Sequence, residues 1–266
     1  MRNFFNVDLI PDIINGAVAN VQNANKSDLD IGAGEIIFDW TAIDVPKGAN
    51  LLVSVAGIVN AEDGAYGSGS LTDYELVFAK SVNGEAPTSL GAVNAAQTGG
   101  FDLRDHYIGG LRIEFNVSTG TLTHSAFHVA YTQRSTSTNG ENVTGSGLPM
   151  VLDLEAISGT NVGYDKLYVA GFQTSVRHFG TGVVVNGEIT SDTEDTIAVD
   201  GVDAVKIFSV GDTVYLHDVN TALGTVKSVS TNTIVLNAAI AGGTDLADDD
   251  ELLNANPIRF KLGFES

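Results

Sequence analysis

The chain has 266 residues, no cysteine, and a formal charge of −20 from 13 Lys and Arg against 33 Asp and Glu. This length suits one large or two smaller domains, and the missing thiols exclude disulfides, thiolate metal sites and a cysteine nucleophile. A surface this acidic repels phosphate, which argues against nucleic acid as a partner.

Apolar residues make up 43% and charged residues 17%, enough for a substantial core. The 30 glycines, with recurrent Val, Thr, Asn and Ser, favour strands and turns. β-branched side chains fit a pleated surface, and Gly and Asn supply turn conformations. Asp8 interrupts what would be the apolar region of a signal peptide, and no run of 18 apolar residues occurs. The expectation is a protein kept soluble in a cytoplasm, with no membrane partner.

In chain order, residues 1–34 read as an N-terminal arm. Phe4, Phe5, Val7, Leu9, Ile10, Ile13 and Ile14 are apolar, and a polar run follows to Gly34. Two outcomes are open: the arm docks on a neighbouring subunit, or it packs on its own domain. From Glu35, Ile36, Phe38 and Trp40 alternate with Ile37, Asp39 and Thr41, which places Trp40 toward the core. Leu51 to Val59 is a nearly continuous apolar run, the pattern of a strand buried on both faces. Strands are expected at Tyr74 to Val82, Leu111 to Val117, Thr121 to Gln133, Val151 to Ile157, Lys166 to Phe172 and Val183 to Val185. A polar, glycine-rich loop or linker separates some of them at 135–149.

Residues 187–256 form a smaller module, with short strands at Thr196 to Val199, Val205 to Phe208, Thr213 to Leu216, Leu223 to Val229 and Thr233 to Leu236. Residues 190–256 hold 2 basic and 12 acidic residues, a net of −10. Pro257 to Phe264 alternates again and reads as a strand returning to the first module. The expected architecture is all-β: an antiparallel, jelly-roll-like sandwich over 35–186 and 257–266, with a smaller SH3-like barrel inserted at 187–256.

The inserted module carries Val210-Gly211-Asp212-Thr213-Val214-Tyr215, then Leu223-Gly224-Thr225-Val226-Lys227-Ser228-Val229, Ser230 to Leu236 and Asp249 to Ile258. In these segments it resembles the SH3-like small barrels of virion structural proteins of tailed phages, particularly those of marine and cyanobacterial hosts. The resemblance covers about 75 residues and brings no catalytic residue with it. It implies a place in a virion, as a capsid decoration (cement) protein or a tail component.

Little in the chain points to chemistry. His124 and His128 fall in an expected strand, where four residues span roughly 13 Å, too far to share an ion. Asp248-Asp249-Asp250-Glu251 could hold a hard cation, but the spacing of a calcium loop is missing and a solvated acidic turn is the simpler reading. Gly64 to Gly69 lacks the Lys-Ser/Thr ending of a phosphate loop. The sequons at Asn25, Asn116 and Asn142 have no role without a secretory route.

These readings favour a non-enzymatic protein without cofactor or metal, bound outside a phage shell. Its partners would be the major capsid protein or another virion protein, and copies of itself as a dimer or trimer. Phe4, Phe5 and Ile10 of the arm are the expected contacts, and deleting residues 2–14 is expected to abolish attachment without unfolding the β domains. The alternative is a tail or fibre module that binds a receptor or carbohydrate, with Tyr66, Tyr107 and Tyr164 as candidate aromatic contacts.

Overall fold

The computed structural model describes residues 3–14, 30–47, 51–60, 73–113, 122–123, 127–131, 148–154, 164–174, 177–190, 194–217 and 221–266. The architecture is all-β and antiparallel. Two sheets face each other across one core. The first contains β1 (Phe4–Leu9), β4 (Leu51–Asn60), β7 (Leu122–Thr123), β8 (Phe127–Tyr131) and β18 (Ile258–Glu265), in the order β1-β18-β4-β8-β7, and β9 (Met150–Val151) pairs with β4. The second runs β3-β10-β5-β6, from β3 (Ile36–Pro46), β10 (Tyr164–Gln173), β5 (Tyr74–Lys80) and β6 (Tyr107–Ile113), and β2 (Asp30–Ile31) and β11 (Arg177–His178) form a separate two-stranded pair.

Numbered along the chain, the eight main strands are β1, β3, β4, β5, β6, β8, β10 and β18. The first sheet takes them in the order first, eighth, third, sixth, and the second in the order second, seventh, fourth, fifth. This interleaving is the jelly roll, two Greek keys folded over each other. Alternation explains the core between them. Leu52, Val55 and Val59 of β4 and Ile258, Phe260 and Leu262 of β18 point inward, against Phe38, Leu76, Phe78, Leu167 and Val169 of the other sheet. Phe38 and Phe260 meet across the gap with ring centroids 6.1 Å apart.

The described part of the N-terminal arm is a strand of this sandwich. β1 pairs with β18 from Phe4 to Leu9, and Leu9, Ile13 and Ile14 are buried in the main core. Of the two outcomes open for these residues, they pack on their own domain. Deleting 2–14 would remove the first strand of the jelly roll, so the deletion cannot separate attachment from folding.

Leu51 to Asn60 is also not buried on both faces. Leu52, Val55, Gly57 and Val59 face the core, while Ser54 and Ile58 are exposed. Its apolar run reflects an uncovered outer face that is itself apolar. Strand β6 begins at Tyr107, four residues before the alternating run that marks it in the sequence.

A second sheet system forms the inserted module. It comprises β12 (Val183–Val185), β13 (Thr196–Gly201), β14 (Thr213–Leu216), β15 (Thr221–Ser230), β16 (Thr233–Leu236) and β17 (Leu252–Asn254), in the order β12-β13-β16-β15-β14-β17. A bridge from Val184 to Glu251 brings β12 back beside β17, and the sheet curls into a nearly closed barrel. Its own core includes Val183, Val185, Ile197, Val214, Val226, Ile234 and Leu252. Val183 to Val185 therefore belongs to the barrel rather than the sandwich, since its inward valines pack there.

Val205 to Phe208 is not a strand. Ala204–Lys206 is a 3-10 turn, and Ala204, Ile207 and Phe208 are buried while Val205 is exposed, a spacing of three and four rather than two. After the barrel, β18 re-enters the sandwich between β1 and β4, so the barrel is an insertion before the last strand. No described helix is long and apolar enough to cross a membrane.

Candidate functional site

The outer face of the first sheet carries three of the exposed large apolar residues, Phe4, Ile10 and Ile58. Residues of β1 alternate: Phe5, Val7 and Leu9 turn inward, while Phe4, Asn6 and Asp8 turn out, as does Ile10 just after the strand. Phe4 is 67% exposed, Ile10 45% and Ile58 41%. Phe5 departs from its expected role as an exposed contact. It packs on the core and stacks on Phe264 with centroids 5.4 Å apart, so of the three arm contacts only Phe4 and Ile10 face outward.

Strand register aligns the rest of this face. Arg259 lies opposite Ile58, and Lys261 lies between Asp8 and Ala56. Ile10, Ile58 and Ala56 line a groove of about 280 Å³, together with Asp8, Arg259 and Lys261. Lys261 and Asp8 are paired at 3.3 Å on the exposed surface, where such a pair adds little to stability. The groove thus presents two isoleucines beside charged groups of both signs.

One end of the groove is fixed by the junction with the barrel. The Arg259 guanidinium donates to Asp212, the acid of the Val-Gly-Asp turn, whose side chain is 2% exposed. Asp212 also accepts from the Ser209 N–H at 2.8 Å and the Asn254 amide at 3.0 Å. Burial pushes its carboxyl above the usual 3.8, against the lowering effects of Ser209, Arg259 and Asn254. The Asn254 amide and the Asn60 amide both reach the Ile207 carbonyl, at 2.7 and 2.6 Å. Asn256 donates to the Pro11 carbonyl at 3.0 Å and accepts from the Thr213 N–H at 2.9 Å. These bonds tie barrel, sandwich and the end of β1 into one connected body. In the sequence, Asp212 stands only as part of the Val210 to Tyr215 segment of the barrel. The signal for more was Asn254 and Asn256, two amides in an otherwise apolar stretch before β18.

The acidic segment has structural work. Asp248 accepts the Gly187 N–H at 2.7 Å, Asp250 the Ala247 N–H at 2.6 Å, and Glu251 the Thr181 and Gly182 N–H groups at 3.3 Å. Among the described residues, no three His, Cys, Asp or Glu side chains gather as metal ligands. His124, Tyr66, Gly64 to Gly69, Asn25, Asn116, Asn142 and the stretch 135–147 lie outside the described residues, as do the side chains of His128 and Tyr164. Trp40 is half-buried rather than in the main core. It covers a small cluster of Ile36, Leu90 and Ala170 on the outer face of the second sheet, and its indole N–H donates to the Thr88 carbonyl at 2.9 Å.

Comparison with protein-family models, with curated proteins and with solved structures finds no match to this chain.

Proposed function

We propose that this protein is a non-enzymatic structural protein of a tailed-phage virion, a decoration protein that holds the outside of the shell through the outer face of its first sheet. The observation that carries this reading is the exposed row of Ile10 and Ile58 flanking Arg259, on a chain whose formal charge is −20. Apolar groups aligned on a sheet face and rimmed by charges of both signs have the composition of a protein–protein contact. Covering the exposed part of each isoleucine contributes about 1 kcal/mol, and Phe4 adds more at the far end of the strand.

The jelly roll with a small inserted barrel is compatible with a capsid accessory, and the phage-like segments of the barrel favour the same placement. The partner is the major capsid protein or a neighbouring virion protein, and repetition of the shell favours a symmetric dimer or trimer. Co-sedimentation with undecorated shells tests this. Wild type should pellet with shells, and Ile58→Asp should stay in the supernatant while remaining folded. Wild type that does not pellet, or Ile58→Asp that pellets equally, would overturn the proposal.

A further inference from the structure

The second sheet has a different kind of outer face. The segment 81–102 covers part of it: Leu90 packs on Ile36 and Ala170, and Asn94 and Ala95 exchange hydrogen bonds with the Ile36 backbone. Among the described residues, the sheet is open beside Gln97, where Glu75 and Val77 of β5 and Arg112 of β6 reach the surface. Two concavities, of about 570 and 300 Å³, share Glu75, Val77 and Arg112, so they form one continuous trough across the three strands. At the usual strand spacing, crossing from β10 to β6 takes about 10 Å.

The lining is aromatic at its ends, with Glu75 and Arg112 beside Val77 between. Phe172 of β10 is partly buried at one end. Tyr107 of β6 is 52% exposed at the other. The floor is low because β6 carries Gly110 there, and a Cβ on Gly110 would lie 3.6 Å from the Tyr107 hydroxyl and 3.2 Å from the Leu76 carbonyl oxygen. The hydroxyl therefore overhangs bare backbone. Glu75 is exposed, and Arg112 donates through Nε and Nη2 to one oxygen of Asp73, at 3.0 and 2.6 Å. That arrangement fixes the guanidinium plane, and among the described residues Nη1 carries no bond, so it can serve a ligand.

We propose that this trough binds a short neutral oligosaccharide. Sugar rings have apolar C–H faces that stack on an exposed aromatic, and hydroxyls that both donate and accept. A carboxylate acceptor at Glu75 and a guanidinium donor at Arg112 serve adjacent hydroxyls. Charge selects the neutral class. Asp73 and Glu75 outweigh Arg112 locally and the whole chain is at −20, so uronate, sulfate and nucleic-acid phosphate are all disfavoured. The trough lies on the opposite face of the sandwich from the proposed shell contact, so a protein seated by its first sheet presents the trough outward. Binding at the trough does not depend on that seating.

The test uses the full chain in solution without shells. Maltoheptaose, cellohexaose, mannohexaose and xylohexaose are titrated as neutral probes, with alginate oligomers as the acidic control, followed by calorimetry and by amide shifts of β5 and β6. At least one neutral probe should bind, the alginate control should not, and Tyr107→Ala should weaken binding about tenfold or more with an unchanged melting temperature. Phe4→Asp on the opposite face should bind as wild type does. No binding by any neutral probe at millimolar concentration, preference for alginate, or full binding by folded Tyr107→Ala would each overturn the assignment.

Discussion

Replacing Arg259 with Met probes the junction that fixes one end of the first-sheet groove. Met keeps most of the aliphatic stem but leaves the Asp212 carboxylate, 2% exposed, without its cation. Breaking a buried pair from one side costs about 3–5 kcal/mol. The Ser209 N–H and the Asn254 amide remain on Asp212, which holds the expected loss near the lower end, about 3 kcal/mol at pH 7. The sign of the pH dependence follows from the upward shift of Asp212, whose main cause is burial. A carboxyl raised in the folded state contributes stability below its unfolded value of 3.8 and loses it as pH rises through the shifted value. Removing Arg259 raises the folded value further, so the deficit of the variant should grow with pH. The deficit should therefore shrink on acidification, as the buried carboxyl becomes protonated and no longer needs its cation. Urea unfolding of both proteins at matched pH from 4 to 7 measures this. A deficit under about 1 kcal/mol at pH 7, or one that does not change with pH, would refute the reasoning.

Other perturbations follow from packing. A Cβ at Gly171 would lie 2.3 Å from the Phe38 ring, so Gly171→Ala should cost about 1–3 kcal/mol, and an unchanged melting temperature would contradict that contact. Phe260 is fully buried against Phe38, and Phe260→Ala should lose about 3–5 kcal/mol in denaturant unfolding, whereas exposed Phe4→Ala should change stability by less than about 0.5 kcal/mol. Deleting residues 2–14 should collapse the dispersion of amide signals across the sandwich, because β1 is paired along its length; a native spectrum from the truncated chain would contradict this. The Asp102 carboxyl is held below 3.8, first by the Thr88 hydroxyl at 2.6 Å, so its contribution is present above that value and lost as pH falls. Thr88→Ala should move its NMR titration upward, and an unmoved midpoint would remove Thr88 as the cause.

The sandwich and its insertion were legible because alternation marks strands buried on one side, and because Pro257 to Phe264 repeats the alternation after a long acidic module. Tertiary pairing was not legible. Nothing local distinguishes Phe4 to Leu9 as the first strand of a jelly roll from an arm awaiting a neighbour, since the strand it pairs with, β18, lies some 250 residues away. Phe5 and Phe4 differ in exposure solely by strand parity, which that pairing sets. Val205 to Phe208 misled because four residues fit either period, and only the burial of Ala204 with Ile207 and Phe208 decides between them. The trough on the second sheet was visible only as Tyr107. Its floor depends on Gly110 lying beneath the Tyr107 hydroxyl, and its lining joins residues of β5, β6 and β10.

The most direct test of the proposed attachment is a cryo-electron microscopy map of the protein bound to undecorated shells. The density should seat the outer face of β1, β18 and β4 on the shell, with Ile10 and Ile58 at the contact and the second sheet turned to solvent. Attachment through the second sheet or the barrel, or shells that remain bare at saturating protein, would contradict it.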